Sequence, residues 1–212
     1  MPRTEPFESH ADLYLKWFED HPHAYASELA AVRELWPEGA RGMEVGVGAG
    51  HFAEPLGIGV GVEPSATMRR LAASRGITVR DGTAEDLPFP DASFDAVLMV
   101  TTICFVDDPE RSLREIHRVL VPGGVVVIGY VDADSALGRE YLERKDRSHF
   151  YRVATFYGSR RIRELLEHCG FRGLEFRQTL FRHPDRMSAP DPVEKGFGRG
   201  GFVAVRAVKE KD

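Results

Sequence analysis

The sequence predicts an α/β fold: a mostly parallel seven-stranded sheet with helices on both faces, an antiparallel hairpin at one edge and a helical lid at the N-terminus. Three observations predict it. Strand-like and helical segments alternate from residue 42 onward. The apolar runs 94–100 and 125–131 are continuous, as suits strands buried on both faces. A glycine-rich turn follows the first strand, where a sheet of this kind places its ligand.

The elements follow in chain order. Leu13, Tyr14, Trp17 and Phe18 share one helical face; Pro22 interrupts, and Tyr25, Leu29, Val32 and Trp36 resume helical spacing up to Pro37. Gly42–Val45 reads as the first strand, 58–62 as the second and 77–79 as the third, with a helix over 65–75 stopped by Gly76. After the strand at 94–100, Asp108 caps a helix that Pro109 opens, with Leu113, Ile116 and Leu120 as its buried stripe. Pro122-Gly123-Gly124 turns into the strand 125–131, and Ser159 caps a helix running to about Cys169. Strands over 174–181 and 202–208 have no helical pattern between them, hence the hairpin. The 212 residues divide into an N-terminal helical cap, 1–38, and a main domain, 39–212, in which 132–157 and 182–201 are expected to form a lid or hold a substrate.

Composition narrows the function. Apolar residues at 42% exclude a disordered chain, and no apolar run is long enough to span a bilayer. Two cysteines cannot build a disulfide framework, and the N-terminus shows no signal-peptide pattern, so a cytoplasmic setting is expected. The net charge of −5 argues against nucleic acid as a partner. Charge is uneven: residues 1–38 hold eight acids and three bases, residues 139–163 eight bases and three acids, which fits two solvated faces, two segments that meet over a site, or a basic segment that draws an anionic substrate. His21-Pro22-His23 lacks further ligands, so no metal is expected. A monomer and a homodimer suit the composition equally.

Three segments carry chemistry. Glu44-Val45-Gly46-Val47-Gly48-Ala49-Gly50 places glycines at every second position after the first strand, where backbone can approach a ligand closely. A dinucleotide loop would want a further glycine where His51 stands, which disfavours a nicotinamide oxidoreductase. Glu63 ends the second strand about 20 residues on, placed to accept both hydroxyls of a ribose. Asp81–Phe89 then forms a loop after the third strand.

In this order and spacing, these segments resemble the class I S-adenosylmethionine-dependent methyltransferases, most closely the small-molecule branch that includes the ubiquinone-biosynthesis type. Leu113–Gly124 is also similar to that branch, and the likeness covers about residues 40–131. The resemblance implies a Rossmann-like fold, S-adenosylmethionine as cofactor with S-adenosylhomocysteine as product, and a small-molecule methyl acceptor. It implies that Glu44 supports the loop, that Gly46, Gly48 and Gly50 run beneath the cofactor, and that Glu63 holds its ribose. It further implies that Ala84 and Glu85 meet the adenine edge and that Thr101 lines the methionine end; Thr83 stands where many relatives have Asp. Met68 is open between the adenine face and the core. The family shows no catalytic residue at a fixed position. Acceptor-side candidates are Tyr14, Tyr25, Cys104, Tyr141 and Tyr151. A non-catalytic S-adenosylmethionine sensor would share the core but lack a closed acceptor pocket. A base-modifying enzyme would carry Asn/Asp-Pro-Pro-Tyr/Phe where Thr101-Thr102-Ile103-Cys104 stands.

Overall fold

A computed structural model describes residues 4–210; residues 1–3 and 211–212, the outer ends of the two expected segments, lie outside the described residues. Five parallel strands come first: β1 Gly42–Val45, β2 Val60–Val62, β3 Thr78–Arg80, β4 Phe94–Val100 and β5 Leu120–Val131. Three more follow: β6 Phe171–Thr179, β7 Glu194–Lys195 and β8 Phe202–Lys209. The order across the sheet is β3-β2-β1-β4-β5-β8-β6-β7, with β8 antiparallel to both β5 and β6.

The sheet thus has eight strands where seven are expected. The extra strand, β7, is a two-residue pairing of Glu194 and Lys195 with Gln178 and Arg177 inside the long final turn, too short for any alternation to register. Strand β5 begins at Leu120, straight from the preceding helix, so Pro122-Gly123-Gly124 lies within it and not before it. Leu120 pairs with Phe94 and Val125 with Ala96, and residues 121–124 bulge out between.

Among the described residues, seven helices cover the sheet or its rim: α1 Glu5–Ser9, α2 Ala11–Asp20, α3 Pro22–Arg33, α4 Ala66–Ser74, α5 Pro109–Val119, α6 Ala136–Glu143 and α7 Ser159–His168. Ser65 caps α4 by accepting from the Met68 N–H, and Asp108 caps α5 by accepting from Arg111. Ser159 is not the cap of α7; Gly158 holds that place. The Ser159 hydroxyl is recruited by the buried Asp132 at the end of β5, to which it donates at 2.6 Å while accepting from Tyr130 Oη at 2.9 Å. A buried carboxylate left unpaired is costly, and Asp132 also takes the Ser159 and Asp134 N–H groups.

Alternation along the central strands splits the core. Val97 and Met99 join Leu113, Ile116, Ile162 and Leu165 under α5 and α7. Leu98 and Val100 join Ala31, Val32, Ala72 and Ala204 under α3 and α4. Residues 22–33 therefore cover a sheet face, and within the expected N-terminal cap it is α1 and α2 that sit at the end of the sheet. No helix among the described residues is long and apolar enough to cross a membrane.

The register locates the site. Glu44 pairs with Gly61 on one side and Leu98 on the other, so the carboxyl ends of β1, β2 and β4 stand side by side. The loops at 46–50, 63–65 and 101–106 converge at that edge, where the strand order reverses.

Candidate functional site

At this edge a cleft of about 450 Å³ opens between the loops and the helices above them. Of the residues singled out from the sequence, Gly46, Gly48, Glu63, Ala84, Glu85, Thr101, Tyr14, Tyr141 and Tyr151 line it. Glu44, Gly50, Tyr25, Cys104 and Met68 are not on its wall.

The loop after β1 is held open by backbone conformation. Gly46 and Gly48 have φ of +66° and +53°. A Cβ on Gly46 would collide with the Thr102 side chain, and one on Gly48 would lie 2.8 Å from Tyr14 Oη. Gly50 serves packing: a Cβ there would lie 2.6 Å from Ile77 Cδ1, below the loop.

Glu63 is bound from below and open from above. Its Oε2 accepts from the Gly48 N–H at 3.0 Å and its Oε1 from the Ser65 N–H at 2.9 Å. Burial raises its pKa, and the two backbone donors work against that rise. Each carboxylate oxygen keeps acceptor capacity toward the cleft. Glu44 lies beneath the loop, 2% exposed, hydrogen-bonded to the Ala53 N–H and with no partner at Oε2. Burial pushes its pKa well up, and the Ala53 N–H works against that rise.

On the third loop, the buried Ala84 faces the cleft, while the Glu85 carboxylate accepts from the Asp107 and Asp108 N–H groups at 2.8 and 3.3 Å. Glu85 thereby ties this loop to the start of α5. Thr101 follows β4 with φ of +48°, a strained conformation for a β-branched residue, held by its N–H to Gly129 O at 2.8 Å. Cys104 donates Sγ–H to Thr101 O at 3.3 Å and lines a small separate hollow with Tyr130 and Tyr157. Met68 is fully buried in the core.

Above the strands the wall is aromatic. Tyr14, Trp17 and Phe18 come from α2, Tyr141 from α6, and Phe150 and Tyr151 from the segment after it. Phe7 of α1 packs edge-on to Phe105 at 5.1 Å and meets Phe150 at 5.4 Å, closing the roof from two sides. Tyr141 and Tyr151 stack at 5.1 Å. The acidic and basic segments do meet here, through these rings and, among the described residues, through an exposed ion pair, Arg152 to Glu5 at 2.7 Å. Arg144 pairs instead with Glu140 of its own helix.

Two expected features change role. His51, where a dinucleotide loop would have glycine, stacks on Phe18 with centroids 3.7 Å apart, pinning α2 to the glycine loop. Burial, aided by Arg75, pushes the His51 pKa down to about 4, so the ring is neutral. Tyr25 supports the same contact from behind by donating Oη–H to His51 O at 2.5 Å.

Phe7 and Phe105 of the roof were not among the residues singled out from the sequence, and neither was one charged wall residue. Glu28 of α3 is 5% exposed and lies on the cleft wall. Its signal is an acid within the helical stripe Tyr25-Leu29-Val32, a place where an apolar residue is the rule.

Comparison with known proteins gives the chain its relatives. Residues 43–128 match a family described as "Methyltransferase domain". An uncharacterized protein of Methanocaldococcus jannaschii is 41% identical over 203 residues, 96% of this chain and 98% of that one. A crystal structure from Thermotoga maritima, titled a SAM-dependent methyltransferase and possible histamine N-methyltransferase, is 49% identical with a TM-score of 0.96, covering 98% of this chain and all of that one. The demethylmenaquinone methyltransferase of Thermus thermophilus is 40% identical over 125 residues, 57% of this chain and 50% of that protein.

Proposed function

This chain belongs to the class I S-adenosylmethionine-dependent methyltransferases, and from that premise we propose that it methylates a small, largely apolar organic molecule held under the aromatic roof. The observation that carries the proposal is the cleft itself. One continuous space runs from Glu63 and Ala84, past Gly48 and Thr101, to the rings of Tyr14, Tyr141 and Tyr151. A volume of about 450 Å³ beneath an aromatic roof suits a small ligand.

The residues present fit the cofactor. Glu63 would accept the ribose hydroxyls with the acceptor capacity its backbone donors leave. Gly46 and Gly48 leave the space that any side chain would fill, and Thr83, Ala84 and Glu85 would border the adenine. When bound, S-adenosylmethionine supplies an electrophilic methyl group. The chain's own task is to orient the acceptor and keep water out. Tyr14 reaches from the glycine loop into the aromatic end and would divide the two ligands. In this reading residues 39–212 are the catalytic domain, and α1, α2 and residues 132–157 form the acceptor lid. Two similar proteins support a small acceptor by name, one a possible histamine N-methyltransferase, the other acting on demethylmenaquinone. A chain with only two cysteines suits a cytoplasmic enzyme.

The experiment is calorimetric titration with S-adenosylmethionine, S-adenosylhomocysteine and NAD, followed by transfer of a labelled methyl group to mixed small organic acceptors, to RNA and to protein. Binding of the first two ligands with label in small molecules is expected. Label confined to RNA or protein overturns the acceptor reading.

A further inference from the structure

Glu28 projects from α3 into the acceptor end of the cleft, where its carboxyl has no hydrogen-bond or ion-pair partner among the described residues. The groups facing it are the aromatic hydroxyls Tyr14 of α2, Tyr141 of α6 and Tyr151 of the following segment, each sensing its charge. Beyond Tyr141 lie Glu140 and Asp185, both acids. Among the described residues on the cleft wall the one cation is Arg144, which is exposed and already paired with Glu140 at 2.8 Å. The charged form of a buried carboxyl requires a counter-charge, and no described residue supplies one at Glu28. Aromatic faces around the same space favour a cation.

We propose that Glu28 binds the nitrogen of an amine acceptor and takes the proton that this nitrogen must lose before it can be methylated. The inference rests on the small-acceptor reading above and names its chemical class: a compact amine with an apolar or aromatic body. The ammonium enters and pairs with the Glu28 carboxylate under the tyrosine rings. One proton then passes from nitrogen to carboxylate, leaving a neutral amine with a free lone pair and a neutral carboxylic acid. A carboxylate in this place would set a second negative charge against Glu28, and a phenol or alcohol, neutral at pH 7, would bring no counter-charge to answer it. Burial supports the role by pushing the Glu28 pKa up to about 8, close to where a proton acceptor for an amine works best.

The test uses the full chain with S-adenosylhomocysteine bound. A set of compact arylalkylamines is titrated against alcohols of the same shape, beginning with 2-phenylethylamine and 2-phenylethanol. Calorimetry at pH 7 in two buffers of different ionisation heat reads affinity and proton release together. The wild-type chain should prefer amines by about tenfold or more. It should release roughly one proton per amine bound, because the free acid is mostly protonated at pH 7 and the paired one is not. Glu28→Gln should lose both the preference and the release while holding S-adenosylhomocysteine within about twofold. Absence of any amine preference across the set, or its survival in Glu28→Gln, overturns the proposal; the wild-type proton count tests it without the variant. Methyl transfer to phenols with no amine preference would sink the amine class and leave the methyltransferase reading standing. Failure to bind S-adenosylhomocysteine would overturn both.

Discussion

The two ends of the cleft are built by opposite means. At the strand end, charge is answered by backbone: Glu63 holds the Gly48 and Ser65 N–H groups, and Glu85 those of Asp107 and Asp108. At the helical end, rings pack on rings, and the buried acid Glu28 meets no donor among the described residues. Backbone donors are positioned by the fold and fit one ligand shape closely. An aromatic box with one acid fixes charge and bulk and leaves the rest of the ligand free to vary. The first design suits an invariant cofactor, the second an acceptor that differs from enzyme to enzyme.

Four measurements press on this contrast, starting with the strand end. Gly48→Val should abolish S-adenosylhomocysteine binding, since the new side chain stands in the cleft between the loop and Tyr14 at φ of +53°, and circular dichroism should show that the chain still folds. Retained binding, read by calorimetry, would mean the loop does not face the cofactor. Glu63→Ala should weaken the same binding by roughly 1.5 to 3 kcal/mol, the range for hydrogen bonds to a charged group. Unchanged affinity would remove the ribose role.

At the helical end, pH is the probe. The folded Glu28 pKa of about 8 lies above its ordinary value of 4.5. A raised acid contributes its full stability below the unfolded pKa and loses it as pH climbs toward the folded one. Glu28→Gln should therefore match the wild-type Tm near pH 4 and exceed it increasingly between pH 5 and about 8. A constant Tm difference across that window would show that Glu28 is not buried as an acid. The smallest effect is at the rim: Arg152→Ala removes only an exposed pair with Glu5 and should cost less than about 1 kcal/mol. A larger loss by denaturant titration would mean that charge, and not the Phe7 rings, closes the roof.

The strand end was largely legible in the sequence, because its signals are local. Glycines with positive φ, an acid at a strand end, Ser65 and Asp108 as caps and continuous apolar strands each depend on neighbours within a few residues. Those features settled the α/β class, the glycine loop and the place of Glu63. What only the tertiary structure decided involves partners far apart in the chain. Ser159 turned from the expected helix cap to Asp132, 27 residues away, because a buried carboxylate outbids a helix end for a hydroxyl. Tyr25 went behind the glycine loop to the His51 carbonyl, while Tyr14, one helix earlier, took the cleft wall. The two-residue β7 exists only because β6 lies beside it. Glu28 became a cleft residue because α3 packs on the sheet with that side chain turned toward α2 and α6. Periodicity shows which face of a helix is buried; the docking of helices decides which buried side chain meets a cavity instead of the core.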